Sequence, residues 1–448
     1  MRGDLSGPRR AKLPNSANRL KAGCAGQVAV SLGPYILSMM NTIADVSSRI
    51  PWPLLGLGAC LGHAFLMTVS LNVLYSAPLP RSVLRITRKL DILVILAAPI
   101  IFFIALDPLH AAQLAVDGPR SLLTPYAAVC VFLGFVVAPI SQLCYWLRKT
   151  APQQTGVQAE IVDVAKVLGF PPKGSGKDAK ACSLPFNQCF EVEFNVKTLT
   201  LPQLPAAWDG LSILHLTDLH YCGTPDRAFH RYVIDRIMQD GKPDLIAITG
   251  DVVDSSWHHR WIAPLLGRLR YNDFAWAILG NHDHYRDVAL IRRRLRKIGL
   301  RVLTNSWEQV ELRGEPLIVI GDESPWQKPA PDLSACPVGP FRLGLSHTPD
   351  RIAWSRKQQI DLMLAGHVHG GQIRFPLIGS TFCPSRYSRR YDCGTFFEAP
   401  TVMHVSRGVA GQHPLRFLCR PEVTRLILRR SPASRMADAA IPDSKNRE

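Results

Sequence analysis

The chain has 448 residues, a formal net charge of +17, 47% hydrophobic residues and only 19% charged residues. This length predicts at least two structural units, and the low charged share is typical of a chain with a membrane-embedded part. The positive charge favours anionic partners such as phosphate-bearing substrates or lipid headgroups, whereas the absence of any nucleic-acid-reading motif argues against a nucleic acid partner.

Residues 1–149 are predicted to form an N-terminal membrane region. Three strongly apolar runs, at residues 53–77, 92–106 and 121–147, approach or exceed the length that spans a bilayer. A weaker uncharged run at residues 27–44 contains Ser, Gly, Pro and Asn, so we expect three or four transmembrane helices. Two alternatives remain open: this weaker run belongs to a signal segment, or translation starts at a methionine later than Met1.

The distribution of basic residues between the spans predicts the orientation of the chain. The loop between the first two strong spans carries Arg81, Arg85, Arg88 and Lys89, whereas the next loop carries a single arginine and two aspartates. The segment after the last span begins with Arg148. Because basic loops stay inside, we expect a multi-pass membrane protein whose C-terminal domain is cytoplasmic.

Beyond the membrane region, the composition changes twice. Residues 150–185 contain several prolines, glycines and lysines, which predicts a linker with one amphipathic stretch at residues 157–168. Strand and helix patterns then alternate over residues 186–430, which predicts a layered α/β domain. Within it, residues 401–408 and 423–428 are expected to be closing strands of a second sheet. The polar tail at residues 431–448 is predicted to be disordered.

Five predicted strands end in side chains that can bind metals. These side chains are Asp218 and His220, Asp251, Asn281 and His282, His347, and His367 and His369. In an open α/β sheet, ligands bind at the carboxyl ends of the strands. One such ending is common, since a loop aspartate often caps the next helix. Five in succession favour a metal site over chance surface polarity.

The order of these residues resembles that of a known family. The motifs are Asp218-x-His220, Gly250-Asp251-x-x-Asp254, Gly280-Asn281-His282-Asp283, His347 and Gly366-His367-x-His369. They resemble the calcineurin-like metallophosphoesterases, and Gly370-Gly371-Gln372 with the membrane region makes the chain similar to a membrane-associated subgroup. Over residues 186–430 the resemblance implies a four-layer β-sandwich flanked by helices, here preceded by a helical transmembrane region.

The resemblance also implies two divalent metal ions and their ligands. It assigns the carboxylate shared by both ions to Asp251. The first ion would also take Asp218, His220 and His369, and the second would take Asn281, His347 and His367. Oxygen and nitrogen ligands without thiolate suit Mn, Fe, Zn or Mg, so the identity of the metals stays open.

His282 is implied to be the catalytic imidazole, which does not bind metal but stabilises phosphoryl charge or protonates the leaving oxygen. Asp254 and Asp283 are expected to lie behind the ligands and orient imidazoles, with helix capping or turn formation as the alternative. The glycines beside His367 and His369 are expected to leave room for a phosphate.

We therefore expect a membrane-anchored phosphohydrolase that cleaves a phosphoester or pyrophosphate bond with a hydroxide activated by two metals. A membrane anchor favours a lipid-linked phosphate, and family analogy alone offers a UDP-diacylglucosamine as one candidate. The alternative is a catalytically silent membrane scaffold or sensor that keeps the fold. Scaffolds tend to lose ligands, whereas every expected ligand position is filled here. The sequence does not indicate the oligomeric state.

Overall fold

The computed structural model describes residues 51–106, 120–176 and 178–431. These residues divide into two compact units. One contains the described residues up to His63 together with those from Ala97 to Phe135, and the other contains Ala64–Leu96 and the chain from Val136 onward. The weak span expected at residues 27–44 and the tail beyond residue 431 lie outside the described residues.

The described part of the N-terminal region is helical. Its helices are α1 (Trp52–Tyr75), α2 (Arg81–Leu106), α3 (Arg120–Phe132) and α4 (Ala138–Trp146), with a π-helical turn at Leu133–Val137 that joins the last two. Among the described residues, Trp52–Tyr75 and Pro125–Trp146 are long and apolar enough to cross a membrane. The run expected at residues 92–106 lies in α2.

Helices α1 and α3 approach each other closely within the first unit. A Cβ atom on Gly62 would lie 1.8 Å from the carbonyl oxygen of Cys130, so only glycine fits at this position. Small residues that allow backbones to approach are a feature of packed membrane helices. Large apolar side chains on the same helices, such as Leu61 and Val129, are exposed, and a lipid surface would cover them.

Two β-sheets form the frame of the second unit. The first sheet contains, in spatial order, β1 (Gln154–Asp163), β2 (Glu191–Leu201), β15 (Glu422–Arg430), β3 (Ser212–Leu216), β4 (Leu245–Thr249), β5 (Phe274–Ile278) and β6 (Arg301–Val302). The second contains β13 (Gly394–Glu398), β14 (Thr401–Val405), β10 (Leu362–Ala365), β9 (Phe341–Ser346), β8 (Glu315–Asp322) and β7 (Ser306–Leu312). A short separate hairpin consists of β11 (Arg374–Phe375) and β12 (Gly379–Ser380).

The sheets and helices stack in four layers, as expected from the sequence. Alternate side chains of the two sheets, such as Ile213 and Trp276 facing Leu343 and Leu362, form the core between them. On its outer face the first sheet packs against α6 (Arg227–Gln239), α7 (Ile262–Leu266) and α9 (Val288–Lys297). The outer face of the second sheet packs against α10 (Ile352–Lys357). The prediction of an α/β four-layer sandwich is confirmed.

Two segments differ from expectation. Residues 154–168, which we expected in a linker, form β1 and the short helix α5 (Val164–Leu168). Strand β1 pairs along its length with β2 at the edge of the first sheet, where most of its side chains are exposed and its hydrophobic pattern is weak. The strand expected at residues 423–428 lies in the first sheet and not in the second, because it pairs in parallel with β2 and antiparallel with β3.

Candidate metal centre

The candidate ligands lie at the carboxyl ends of five strands from both sheets. Strands β3, β4 and β5 are parallel neighbours in the first sheet, and β9 and β10 are parallel neighbours in the second. The pattern of strand ends predicted one sheet edge, whereas the ligand-bearing loops come from two sheets that face each other. A cation bound at these strand ends would therefore receive ligands from both sheets.

The first ligand group consists of Asp218, His220 and His369, whose ligand atoms lie within 4.8 Å of one another. The Nε2 atoms of His220 and His369 are 3.2 Å apart. The Oδ1 atom of Asp218 lies 3.4 Å from Nε2 of His369 and 3.8 Å from Nε2 of His220. His369 is 149 positions from His220 in the chain, and the fold brings one oxygen and two nitrogen donors to one point.

The second ligand group consists of Asp251, His347 and His367, again with ligand atoms within 4.8 Å of one another. Nε2 of His347 lies 3.3 Å from Oδ2 of Asp251 and 3.0 Å from the amide oxygen of Asn281. Asn281 is the first residue of the short helix α8 (Asn281–His284). Its amide oxygen is therefore available beside the second group, as the family resemblance implies.

Asp251 belongs to the second group and also lies close to the first. Its Oδ2 atom is 3.6 Å from Nε2 of His220 in the first group and 3.3 Å from Nε2 of His347 in the second. Among the described residues, neither Oδ2 of Asp251 nor Nε2 of His367 has a hydrogen-bond partner, although both atoms are buried. Buried polar atoms without partners are costly, and divalent cations held by these residues would satisfy both atoms. The residues present fit a two-metal site.

The backbone at these ligands is strained. Five of the seven candidate ligands are non-glycine residues with positive φ angles: Asp218 (53°), His220 (44°), Asp251 (52°), His367 (71°) and His369 (52°). Such conformations are uncommon for side-chain-bearing residues and cluster at functional sites, where the surrounding structure enforces them. Strand ends in two packed sheets provide this enforcement and point the ligand side chains inward.

Backbone carbonyl groups orient two of the imidazole rings. Nδ1 of His347 donates to the carbonyl oxygen of Thr249 at 2.8 Å, and Nδ1 of His369 donates to the carbonyl oxygen of Ala410 at 3.2 Å. With Nδ1 protonated, the lone pair of each ring lies on Nε2, the atom that faces the ligand groups. Such partners fix the tautomer that binds metal.

The electrostatics of the centre favour ionised carboxylates. Burial acts to raise the pKa of Asp251, but the surrounding imidazoles of His347, His282 and His220 lower this pKa well below its usual value. Burial lowers the pKa of His367 and His369 to about 3. Although burial acts to lower it, the Asp251 carboxylate raises the pKa of His347 to about 9, so this ring must release a proton when it binds a metal, because neutral imidazole is the form that ligates metals.

His282 and Asp254 form a pair beside the ligand groups. Nδ1 of His282 lies 2.7 Å from Oδ1 of Asp254, while its Nε2 faces the centre, 4.0 Å from Oδ2 of Asp251. The backbone N–H of His282 donates to Oδ1 of Asp251 at 2.8 Å. The other oxygen of Asp254 lies 3.5 Å from Nδ1 of His220, so this one carboxylate contacts two imidazole rings.

Asp283 has a different environment from the one expected. Its carboxylate accepts hydrogen bonds from the backbone N–H groups of Val252, Val253 and Gly280 at 2.8–3.2 Å. It thus fixes the loop after Asp251 against the start of α8, which corresponds to turn chemistry and not to orientation of an imidazole. Burial raises the pKa of Asp283 to about 6.

The glycines around the histidine pair make room for protein atoms. A Cβ atom on Gly366 would lie 2.2 Å from Oγ1 of Thr217 and 2.4 Å from Oδ2 of Asp218. On Gly370, where φ is 63°, a Cβ atom would lie 2.8 Å from Sγ of Cys419. The expectation that these glycines leave space for a phosphate is therefore wrong: they allow close packing of the turn against the ligands and their supports.

Two residues near the centre were not predicted. The ring of Trp326, in the loop after β8, lies 5.0 Å from the ring of His367 and 5.5 Å from that of His347. Arg81, at the start of α2, reaches Asp254 and His282. A single tryptophan in a loop carries no local signal of a metal site, and the sequence around Arg81 indicates only a basic loop.

Comparisons with known proteins agree with this geometry. A family model described as "Calcineurin-like phosphoesterase" matches residues 211–371. The Bacillus subtilis (strain 168) protein named "Uncharacterized metallophosphoesterase YkuE" is 31% identical over 53% of this chain and 86% of its own length. "Phosphodiesterase YaeI" of Escherichia coli (strain K12) is 34% identical over 48% of this chain and 81% of its own. A Danio rerio "Transmembrane protein with metallophosphoesterase domain" is 27% identical over 52% of this chain and 56% of its own length.

Proposed function

The chain belongs to the calcineurin-like phosphoesterase family, and we propose that it is a membrane-anchored, metal-dependent phosphohydrolase that cleaves a phosphoester or pyrophosphate bond. The observation that supports this most directly is the Oδ2 atom of Asp251, which is buried close to both groups of metal-binding side chains and has no hydrogen-bond partner among the described residues. The apolar helices at Trp52–Tyr75 and Pro125–Trp146, and relatives named as transmembrane proteins, support membrane association.

The ligand sets expected from the sequence are retained in this proposal. Asp251 would serve both ions, with Asp218, His220 and His369 completing the first and Asn281, His347 and His367 completing the second. Two bound divalent cations neutralise charge on the phosphoryl group and lower the pKa of water. Metal analysis of the purified chain identifies the ions among Mn, Fe, Zn and Mg.

His282 is assigned the proton transfer to the leaving oxygen. Its Nδ1 atom is held by Oδ1 of Asp254 at 2.7 Å, so the Nε2 atom faces the centre. A proton carried at Nε2 lies on the side where the phosphoryl group would bind. An imidazole with a fixed orientation acts efficiently as a general acid, because its proton is already aligned with the oxygen that accepts it.

The proposal is tested with the purified full-length chain and generic substrates. With added Mn²⁺, the chain should hydrolyse bis-p-nitrophenyl phosphate or p-nitrophenyl phosphate, and Asp251→Ala should abolish this activity. Asp332→Ala, which removes an aspartate from a loop outside the ligand groups, serves as the matched control and should retain wild-type activity. The proposal fails if the wild-type chain cleaves neither substrate, or if Asp251→Ala cleaves them equally well.

We further propose that the natural substrate is a phosphate linked to a membrane lipid, of which a UDP-diacylglucosamine is one example. Support comes from the apolar helices and from the net charge of +17, which favours anionic surfaces. The test compares UDP-diacylglucosamine in detergent micelles with UDP-N-acetylglucosamine, which carries the same nucleotide and sugar without the acyl chains. A higher kcat/KM for the acylated compound is expected, and equal values would overturn this part of the proposal.

The catalytic domain is proposed to lie on the cytoplasmic side of a multi-pass membrane region. The basic residues Arg81, Arg85 and Arg88 at the start of α2, and Arg148 after α4, support this orientation through the preference of basic residues for the inner side.

A further inference from the structure

Arg81, the first residue of α2, contacts the catalytic pair. Its Nη2 atom donates to Oδ1 of Asp254 at 3.0 Å and lies 3.1 Å from Nδ1 of His282. Arg81 belongs to the same compact unit as these two residues, although 173 positions separate it from Asp254 in the chain. A residue from the connection between two N-terminal helices thus reaches the edge of the metal centre.

The connection that carries Arg81 is held in place by Tyr285. The guanidinium group of Arg81 lies over the Tyr285 ring, 4.3 Å from its centroid. The hydroxyl group of Tyr285 donates to the carbonyl oxygen of Leu79 at 3.0 Å. Leu79 stands between Pro78 and Pro80, whose rings restrict the backbone of the connection. Tyr285 directly follows α8, the helix that carries His282, so the contact links the connection to the catalytic loop.

Cationic partners stabilise the buried carboxylate of Asp254. Its side chain is 1% exposed, and a buried carboxylate is costly unless it is paired and hydrogen-bonded. The same Oδ1 atom contacts both Arg81 and His282, and two partners on one oxygen restrict rotation of the carboxylate. Arg286 lies further away, with Nη2 at 3.8 Å from this oxygen. Arg81 is therefore the guanidinium group closer to this oxygen, whereas Nη2 of Arg286 donates to the backbone carbonyl oxygen of Asp254.

We propose that Arg81 is a positioning residue for phosphoester hydrolysis: it holds Asp254 in the orientation that directs Nε2 of His282 toward the metal centre. This inference rests on the proposed function. It makes the connection between α1 and α2 a part of the catalytic apparatus and not only a part of the membrane anchor. A catalytic domain with its ligands intact would then work slowly when this arginine is missing.

The test compares Arg81→Ala and Arg81→Lys with Arg85→Ala in the full-length chain loaded with Mn²⁺. Arg85 is an exposed arginine one turn along the same helix, so its variant controls for loss of basic charge from α2. Arg81→Ala should lower kcat by about 10–100-fold, the range for partners that orient groups in a metal site. KM for bis-p-nitrophenyl phosphate and the metal content per chain should not change. Arg81→Lys should retain more activity, since it keeps a cation near Asp254.

Chemical rescue with guanidinium distinguishes a positioning role of Arg81 from a structural role. Guanidinium ion added at concentrations that do not unfold the protein should restore part of the kcat of Arg81→Ala and leave Arg85→Ala unaffected. Wild-type kcat in Arg81→Ala overturns the inference. Loss of metal or of thermal stability in parallel with kcat also overturns it, because the role would then be structural. A wild-type chain that hydrolyses no substrate overturns the proposed function as well, whereas an active wild type with an unaffected Arg81→Ala variant overturns only this inference.

Discussion

His367 and His369 are separated by one residue but face different ligand groups. His369 lies with Asp218 and His220, while His367 lies with Asp251 and His347. Positive φ angles at both residues turn the backbone sharply, which explains why the two rings do not point the same way as they would in a strand. The pair therefore connects the two halves of the centre.

This division predicts separate metal losses. His369→Ala should weaken binding of the first ion and His367→Ala binding of the second, because each variant removes one nitrogen donor from one group. Metal content after dialysis, measured by inductively coupled plasma mass spectrometry, should fall from about two ions per chain toward one in each variant. His413→Ala, which removes a partly exposed histidine paired with Asp178, is the control and should keep the wild-type content. Full metal content in both ligand variants would contradict the assignment.

The candidate ligands and Asp254 could be located from the sequence, whereas the other groups that hold the ligands could not. Each candidate ligand lies within four residues of the end of a largely apolar strand, so the local sequence marks its position. The residues that hold the ligands lack this signal: Arg81 meets Asp254 across 173 positions, and the carbonyl groups of Thr249 and Ala410 orient histidines through backbone atoms. Contacts that depend on the packing of distant loops leave no periodic pattern in the chain.

At the scale of strands, a buried polar network links the two sheets. Lys197 on β2 and Glu422 on β15 form an ion pair at 2.6 Å with side chains 10% and 2% exposed. Nζ of Lys197 also lies 3.2 Å from Nε2 of His404 on β14 in the second sheet. Although burial acts to raise it, the cations of Lys197 and Arg407 lower the pKa of Glu422 well below its usual value.

Removal of the lysine should destabilise the fold. Lys197→Met removes one of the two cations that pair with the buried carboxylate of Glu422. Breaking a buried ion pair in this way costs about 3–5 kcal/mol of folding stability. Arg407 still contacts Glu422 at 2.9 Å, which favours the lower end of that range. The free energy of unfolding from urea denaturation of the detergent-solubilised chain measures the effect. Lys166→Met, which breaks a pair whose lysine is 85% exposed, should cost less than about 1 kcal/mol. Equal effects would contradict the argument.

Helix α6 contributes a pH-sensitive residue to the core. The ring of His230 packs against the rings of Tyr221, Phe229 and Trp261. Burial lowers the pKa of His230 to about 3, assisted by the positive charge of His220 and His258. Because the unfolded chain has the higher pKa, the unfolded state takes up a proton first as the pH falls. The neutral ring therefore contributes stability above about pH 6.5 that is lost toward pH 3.

Replacement of this histidine should reduce sensitivity to acid. In the wild type, each pH unit below about 6.5 should cost up to about 1.4 kcal/mol through His230 alone. His230→Phe keeps an aromatic ring and removes this contribution, so its melting temperature should fall less steeply between pH 6.5 and pH 4. Circular dichroism melts at several pH values measure the slope. His413→Phe, at a partly exposed position, should follow the wild type, and identical slopes in all three chains would refute the role of His230.

Burial and the sequence distance between paired strands explain which strands could be predicted from the sequence. Strands β3, β4 and β5 are buried on both faces and read as continuous apolar runs, which is typical of parallel strands. Strand β1 is an edge strand with exposed side chains on both faces, so its residues resemble a linker. The placement of β15 between β2 and β3 depends on pairing over more than 200 positions, which no local pattern records.

At the scale of the whole molecule, the two basic ends of the N-terminal helices lie with the catalytic domain. Arg81 at the start of α2 pairs with Asp254, and Arg148 after α4 pairs with Asp392 at 2.6 Å. All four residues belong to the same compact unit. Basic residues next to membrane spans prefer the inner side, so the two contacts together with the charge rule support the proposal that the metal centre lies on the cytoplasmic side.

This orientation predicts the protease sensitivity of the catalytic domain in sealed membranes. Trypsin should cleave the domain in inside-out vesicles and leave it intact in spheroplasts, because only the former expose the inner side. An immunoblot against an epitope tag at the C-terminus measures the loss of full-length chain, and detergent should make both preparations sensitive. If trypsin cleaves the domain in intact spheroplasts instead, the charge rule fails for this chain. The contacts of Arg81 and Arg148 would then place both basic helix ends on the outer side together with the metal centre.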